Sequence, residues 1–544
     1  MLKNITNILK PGDIKIVSTY ERGKAYMPSL EDKLCTIFTI GILNNRFYED
    51  YETAVNDLDS IFRQALKECP YLATQYAVYS AETLRMKLIP TIWLVYISTL
   101  SDKTLFKKSF YRIIGKNIKM LHDFINICRL TNIRPGGHMQ QKIRGTNRGL
   151  GSALKKEIIN WLNITLNDYN VTRFTNKLED ICRLVRIKDT ADNEKYLKYI
   201  FRPKDGERRL TFERAHLLDE TIKILSSEHS NDDFKTALMN INKGKLQMDE
   251  IKMTFGSLSK EELQQVYKHF VPNLKYAALI TNLAAIERAF ATSTGDREYH
   301  RSRTVYETNI PEDLEQIVAN KIRSINDFEA SGLFFLRLYA ASKMIKTTSW
   351  INALSEVFQK VAKTAFKGIP NDIKVRVSAD TSGSMDHSLN GAYIKAVDVA
   401  SYFTAAIALS VPNANAYATA TITKQVPLRG DNITVIADDI KNTNVGYGTN
   451  FETLLEGYKG ENIVLIITDT QQNSDVERKW KMLQKPDNAK FIVWDVVGYY
   501  NNNVISKDPS ILYIRGYSDY VMSIITNLIL GKAGQKEIVH SVVL

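Results

Sequence analysis

The chain of 544 residues predicts two architectures in series, a long α-helical repeat region followed by a doubly wound α/β domain. Three observations carry this. From about Leu30 to Phe366, apolar residues recur at three- and four-residue spacing with no strong strand-like alternation. From Asn371 to Leu544, short apolar runs alternate with helical patterns, which argues a mostly parallel sheet with helices on both faces. The charge is divided the same way. From Asn371 onward there are 16 Lys+Arg and 18 Asp+Glu, a net of −2; subtracting from the chain totals of 72 and 60 leaves a net of +14 before it.

In the first region the spacing predicts helices over Glu31–Leu43, Tyr51–Lys67, Tyr71–Leu88, Leu121–Leu130, Ser152–Leu166, Tyr276–Phe290, Ala330–Met344 and Ile351–Phe366. Pro70, Pro90, Pro135, Pro203, Pro272 and Pro311 fall between or at the edges of these segments, where helices start or stop. Repeated helical hairpins with no single bundle point to an α-solenoid, whose stacked helices make extended binding surfaces. The positive excess in this region favours a polyanionic partner, most simply a nucleic acid.

Two windows here contain no acidic residue. Lys103–Lys119 carries Lys107, Lys108, Arg112 and Lys116 with Phe106, Phe110 and Tyr111 among them. Gly136–Lys156 carries Lys142, Arg144, Arg148, Lys155 and Lys156, with five glycines leading into a helix. Lys and Arg reach phosphates, glycines let backbone amides approach them, and aromatic rings stack on unpaired bases. The plainer alternative is a solvated helix face and a loop.

In the second region candidate strands are Lys374–Ala379, Ala414–Ala420, Ile463–Thr468, Lys490–Val497 and Ile511–Ile514. Helical patterns cover Gly391–Leu409 and Tyr517–Leu530, and Thr421–Val435 reads as a turn and edge strand. The segment from Leu530 reads as a tail or an added strand over Glu537–Leu544. The first strand ends in Asp380-Thr-Ser382-Gly-Ser384, one carboxylate and two hydroxyls on alternate positions of a tight turn. Their three oxygens can converge, and hard cations such as Mg²⁺ take oxygen ligands. Two further donors follow in chain order: Thr449 in the loop Gly446-Tyr-Gly-Thr-Asn450, and Asp469 at the end of Asn462-Ile-Val-Leu-Ile-Ile-Thr468-Asp469.

Other chemistries find no support. There is no phosphate loop, no HExxH zinc motif and no G-x-S-x-G elbow. Four scattered cysteines with no CxxC pair read as reduced thiols of a cytoplasmic protein. No apolar run approaches the ~18 residues of a membrane span. The chain is expected to be a monomer and not an enzyme.

The order D-x-S-x-S, then G-T, then a strand ending in T-D resembles the metal-ion-dependent adhesion site of von Willebrand factor A domains. The resemblance implies Asp380, Ser382 and Ser384 as direct ligands of a divalent cation, most simply Mg²⁺. It implies Thr449 and Asp469 as ligands directly or through water. The helical region resembles the TROVE-module family of the Ro autoantigen and its bacterial Ro-related relatives. Gly151-Ser-Ala-Leu-Lys-Lys156-Glu-Ile158 with Trp161 is similar to the family's G-R-A-L-R-K-x-I…W segment. Arg46-Phe-Tyr-Glu49, Val271-Pro-Asn-Leu through Asn282-Leu283, and Ala353-Leu354 through Ala365-Phe366 match further family segments in the same order.

This resemblance implies a ring of HEAT-like helical repeats (residues 1–370) closed by an A domain (371–544). It implies binding of non-coding RNA: misfolded RNAs with a single-stranded 3′ end, and small Y RNAs, in RNA quality control. It also implies a 3′ exonuclease partner such as polynucleotide phosphorylase. The family's Arg in G-R-A-L is Ser152 here, its Arg-Asn-Leu is Thr281-Asn-Leu283, and its late His-Pro is replaced around Ser324–Asp327. The alternative is a metal-dependent protein-binding adaptor, with RNA binding secondary.

Overall fold

A computed structural model describes residues 16–20, 22, 24–41, 50–130, 151–201, 209–297, 304–389, 394–499 and 506–544. Its strands are β1 (Ile16–Ser18), β2 (Lys24–Tyr26), β3 (Ala291–Arg297), β4 (Thr304–Thr308), β5 (Val375–Asp380), β6 (Ala414–Thr419), β7 (Thr423–Val426), β8 (Ile463–Thr468), β9 (Lys490–Asp495) and β10 (Ile511–Arg515). All other regular elements are helical. They change to alternating strands and helices at Val375.

The chain packs as two compact units. One comprises Met1–Pro90, Phe334–Ala340 and Ser355–Leu544; the other comprises Thr91–Leu333 and Ala341–Leu354.

The first unit is built on a six-stranded sheet in the order β10-β9-β8-β5-β6-β7. β5 pairs parallel with both β6 and β8, β9 and β10 continue in parallel, and β7 closes the far edge antiparallel to β6. The chain runs outward from β5 on one side and returns to build the other. This reversal of strand order opens a crevice at the carboxyl ends of β5 and β8. Every residue of β5 and of β8 is buried. Both faces of these strands are covered, which is why they read as unbroken apolar runs. On one face Val464, Ile466, Phe491 and Val493 pack with Phe451, Val476 and Trp480. On the other, Phe403 of the helix Ala396–Ser410 meets Trp494 at 4.2 Å between ring centroids and Phe335 at 4.5 Å. Arg376, buried in β5, is satisfied by Glu461 at 2.8 Å and by three loop carbonyls. A buried charge is tolerated only when paired in this way.

The N-terminal residues belong to this unit. The helix Leu30–Thr39 begins with a capping box between Ser29 and Asp32. Asp32 receives Lys536 Nζ at 2.6 Å, and Arg515 lies 3.9 Å away. These two cations hold the Asp32 carboxyl well below the usual carboxylate range against the opposing effect of its burial. At Gly498 (φ 68°) an added Cβ would lie 2.6 Å from Ile40 Cδ1, so only glycine lets the loop after β9 meet this helix end. The final segment is neither a tail nor a strand. It forms the helix Gln535–His540, which is docked: Gln75 Nε2 donates to the carbonyls of His540 and Val542, and Gln535 brackets the backbone of Arg515.

The second unit is helical, with capping boxes at Ser230 and Ser259 starting two of its helices. Its best-defined lock is Arg214, nearly buried, which grips both oxygens of Glu250 at 2.9 and 2.7 Å and also donates to Thr172. Glu287, fully buried, accepts from the backbone N–H groups of Lys346 and Thr347 and so fixes the start of the helix Thr348–Ala365.

Several expectations need correction. The hairpin β3–β4 interrupts the region from Leu30 to Phe366, which shows no strand pattern in sequence, and the hairpin β1–β2 precedes it. Three-residue strands and a strand reading Ala-Thr-Ser-Thr-Gly-Asp-Arg carry too little apolar alternation to be seen. The expected helix Ala330–Met344 is two, Ile325–Ser331 and Phe335–Ser342, because Gly332 turns left-handed at φ 64°.

Candidate functional site

β5 delivers Asp380 to the crevice, and the chain then turns sharply. Ser382 N–H donates to Asp380 Oδ1 at 2.9 Å, which closes the turn on its own carboxylate. This folds Ser382 and Ser384 back over β5, with their hydroxyl oxygens 3.3 Å apart. Gly383 N–H donates to the Tyr447 carbonyl at 3.0 Å and so ties the turn to the loop carrying Thr449. That loop is itself pinned. Gly448 N–H donates to Thr421 Oγ1, and a Cβ on Gly446 (φ 87°) would lie 2.5 Å from the same oxygen. The Thr449 carbonyl accepts from Asn473 N–H at 3.0 Å, which joins this loop to the one that follows β8.

β8 supplies the opposing wall. Thr468 Oγ1 donates to Asp380 Oδ2 at 2.7 Å and accepts from Thr470 N–H at 3.0 Å. Asp469 follows, its Oδ1 accepting from Gln471 N–H at 3.0 Å, with Ser384 lowering its carboxyl pKa against the effect of burial. Asp469 Oδ2 is buried and has no hydrogen-bond partner within the protein. Burial and the facing charge of Asp380 push the Asp469 carboxyl well above its usual range. Thr470 sits at φ 62°, a left-handed conformation strained for a β-branched residue. Such strain costs on the order of 1–3 kcal/mol and persists only where the surroundings enforce it.

Asp380, Ser382, Ser384 and Asp469 thus lie in one buried cluster, and Thr449 lies on the loop laced to it. All five are at most 4% exposed. Two buried carboxylates, one of them with an unsatisfied oxygen, and two hydroxyls form a donor set suited to a hard divalent cation. Among the described residues, no group of three or more His, Cys, Asp or Glu gathers into a metal site, so the donors here are two carboxylates with hydroxyls. Sequence reasoning did not assign Thr468, which bonds Asp380, nor the run Thr470-Gln-Gln472 that braces Asp469. The polar stretch Asp469–Asp475 directly after a buried strand was the available signal.

In the helical unit, Lys107 and Lys108 are exposed and Arg112 is half-buried on one face of the helix Thr104–Ile114, and Lys116 is exposed just beyond its end. The helix Ser152–Thr165 packs beside it. Trp161 Nε1 donates to the Gly115 carbonyl at 2.6 Å, and Tyr111 OH donates to Glu157 at 3.3 Å. Lys156 is exposed and Lys155 half-buried near the start of this second helix. Lys142, Arg144 and Arg148 lie outside the described residues. The aromatic part of the expectation is wrong for the two phenylalanines. Phe106 and Phe110 are buried and pack on Phe124, because they lie on the opposite, core-facing side of the helix from the lysines.

No family model and no curated protein sequence matches the chain. Among solved structures it is similar to the crystal structure of the Ro (Rsr) protein of Deinococcus radiodurans. The likeness covers 93% of this chain and 100% of that one, with a TM-score of 0.56 and 12% identity. The fold is Ro-like. A Ro-like course over nearly the whole chain agrees with helical repeats joined to a von Willebrand factor A-type α/β domain. At this identity the likeness speaks for fold and leaves function to the chemistry of the residues. Among the described residues, no helix is long and apolar enough to cross a membrane.

Proposed function

We propose that this protein binds non-coding RNA through its helical unit and holds a divalent cation, most simply Mg²⁺, at the carboxyl ends of β5 and β8. What supports the RNA reading is the exposure of Lys107, Lys116 and Lys156, with Lys155 half-buried, on two helices tied by Trp161 and Tyr111, in a region with all of the chain's positive excess. Exposed Lys side chains there meet phosphates as point charges and position a strand without reading its sequence. The family resemblance narrows the RNA to structured or misfolded molecules with a single-stranded 3′ end, and to Y-RNA-like molecules. It gives the protein a role in RNA quality control, as an adaptor to a 3′ exonuclease, and no catalysis of its own. We place it in the cytoplasm as a monomer.

Asp380, Ser382, Ser384 and Asp469 would hold the cation, with Thr449 beside them. When bound, the cation supplies a positive centre able to take an anionic group from a partner. Thr468 fixes Asp380 by its hydroxyl, and Gln471 N–H fixes Asp469. A second reading, a protein partner at this face, is favoured by Tyr447, which is 88% exposed on the loop that binds Gly383.

Titration with a hairpin RNA bearing a single-stranded 3′ tail, at two salt concentrations, tests the RNA reading. Affinity should fall steeply with salt, as phosphate contacts release counterions. Affinity independent of salt, or equal affinity for an acidic protein, would overturn it.

A further inference from the structure

The N-terminal hairpin reaches the loop that carries Asp469, across more than 450 residues of sequence. Its tip is a turn closed by Arg22 N–H on the Thr19 carbonyl at 3.0 Å. Thr19, 4% exposed, donates its hydroxyl to the Gln472 carbonyl at 2.5 Å. Tyr20 N–H donates to Gln471 Oε1 at 2.9 Å, while Gln471 N–H donates to Asp469 Oδ1. A single residue, Gln471, therefore links the hairpin backbone to the Asp469 carboxylate. Two more contacts fasten the hairpin to the same sheet end: Tyr26 OH donates to Glu477 Oε2 at 2.9 Å, and the Tyr20 ring meets the Tyr499 ring edge-on at 5.9 Å. The segment it grips contains Thr470 in its left-handed conformation, which holds only while its neighbours are held.

We infer that Thr19, Tyr20 and Gln471 are positioning residues of the cation site, so that docking of the N-terminal hairpin and binding of the cation strengthen each other. The inference rests on the cation reading above. Groups that orient a metal's direct ligands commonly set its affinity by about 10- to 100-fold. Coupling between two equilibria is reciprocal, so the factor by which the docked hairpin tightens cation binding is the factor by which the cation tightens docking. The docked hairpin then braces the loop that carries Asp469, and whatever displaces it lowers the affinity for the cation.

The test uses the full chain with Mg²⁺ as the probe. Calorimetric titration compares wild type with Thr19→Val, which keeps shape and loses the donor, and Gln471→Met, which keeps length and loses the acceptor. Each variant, folded by its circular dichroism and melting curve, should bind Mg²⁺ about 10-fold more weakly or worse. The double variant should lose less than the product of the two, because both changes open one clamp. Hydrogen exchange on wild type needs no variant: Mg²⁺ should slow exchange of the β1–β2 segment. Wild-type binding of Mg²⁺ with unchanged affinity in both variants, or hairpin exchange indifferent to Mg²⁺, overturns the coupling and leaves the cation reading standing. A wild type that gives no Mg²⁺ signal overturns the cation reading itself, and the coupling with it.

Discussion

Replacing Asp469 by Asn separates the cost of the candidate cation site from its use. In the metal-free protein Asp469 presents a buried carboxylate oxygen with no partner, facing Asp380, which is also fully buried. An amide of the same shape removes one of two like charges and puts a donor where the acceptor was unsatisfied. Leaving a buried polar group unmatched costs about 1–3 kcal/mol, so Asp469→Asn should stabilise the metal-free protein by about that amount. At roughly 2 °C per kcal/mol for a unit of this size, the metal-free melting temperature should rise by about 2–6 °C. Wild type should instead gain from Mg²⁺: at a concentration 100-fold above its dissociation constant, linkage contributes about 2.7 kcal/mol, or about 5 °C. The variant, lacking a charged ligand, should show no such gain. Differential scanning calorimetry with and without Mg²⁺ measures all four states. A variant no more stable than wild type without metal would show that the two carboxylates are not in conflict. A variant that keeps the full Mg²⁺ shift would remove Asp469 from the ligand set.

Two further outcomes are expected. Alanine at exposed Lys107, Lys116 and Lys156 should weaken RNA binding and flatten the log–log salt slope by up to about 0.7 for each phosphate no longer neutralised, while each change costs within about 0.5 kcal/mol of stability; an unchanged slope in the folded triple variant would assign these lysines to a solvated face. Asp519, whose Oδ1 accepts from Phe335 N–H at 2.9 Å, has its carboxyl raised by burial to about 7. Because the folded value is raised, this group's contribution is full below about pH 4 and is lost as pH rises to about 7. Asp519→Asn keeps the acceptor and removes the titration, so the variant should gain on wild type across that window and hold a constant lead above it. Urea melts at pH 4.5 and 7.5 read the difference, and parallel pH profiles would refute the assignment.

The parts of this protein legible in its sequence are those whose physical cause is local. β5 and β8 are covered on both faces, so they needed unbroken apolar runs, and Val375–Ala379 and Ile463–Thr468 stand out as such. Asp380, Ser382 and Ser384 lie within five residues, so the turn that gathers their oxygens is written in one stretch. Helices such as Tyr51–Glu68, Ser152–Thr165 and Tyr276–Ala289 followed from their apolar spacing, and Pro70 and Pro311 stand where helices begin. The charge division between the two regions needed only counting.

Tertiary structure decided what depends on residues far apart in the chain. No periodicity in Ile16–Tyr26 announces that three-residue strands will seat against a loop after β8, because that contact is made by a threonine hydroxyl and a backbone N–H. The buried side of the helix Thr104–Ile114 was ambiguous in a window rich in both Lys and Phe; packing against Phe124 placed Phe106 and Phe110 in the core and left Lys107 and Lys108 to solvent. The C-terminal residues are helical because Gln75 and Gln535 give their backbone neighbours a place to dock, which short-range pattern does not encode. Sequence named Asp380 and Asp469 as separate strand ends. The A-domain resemblance already made them ligands of one cation; the sheet, by placing β8 beside β5, buries the two carboxylates together and makes their charges a single problem for the fold.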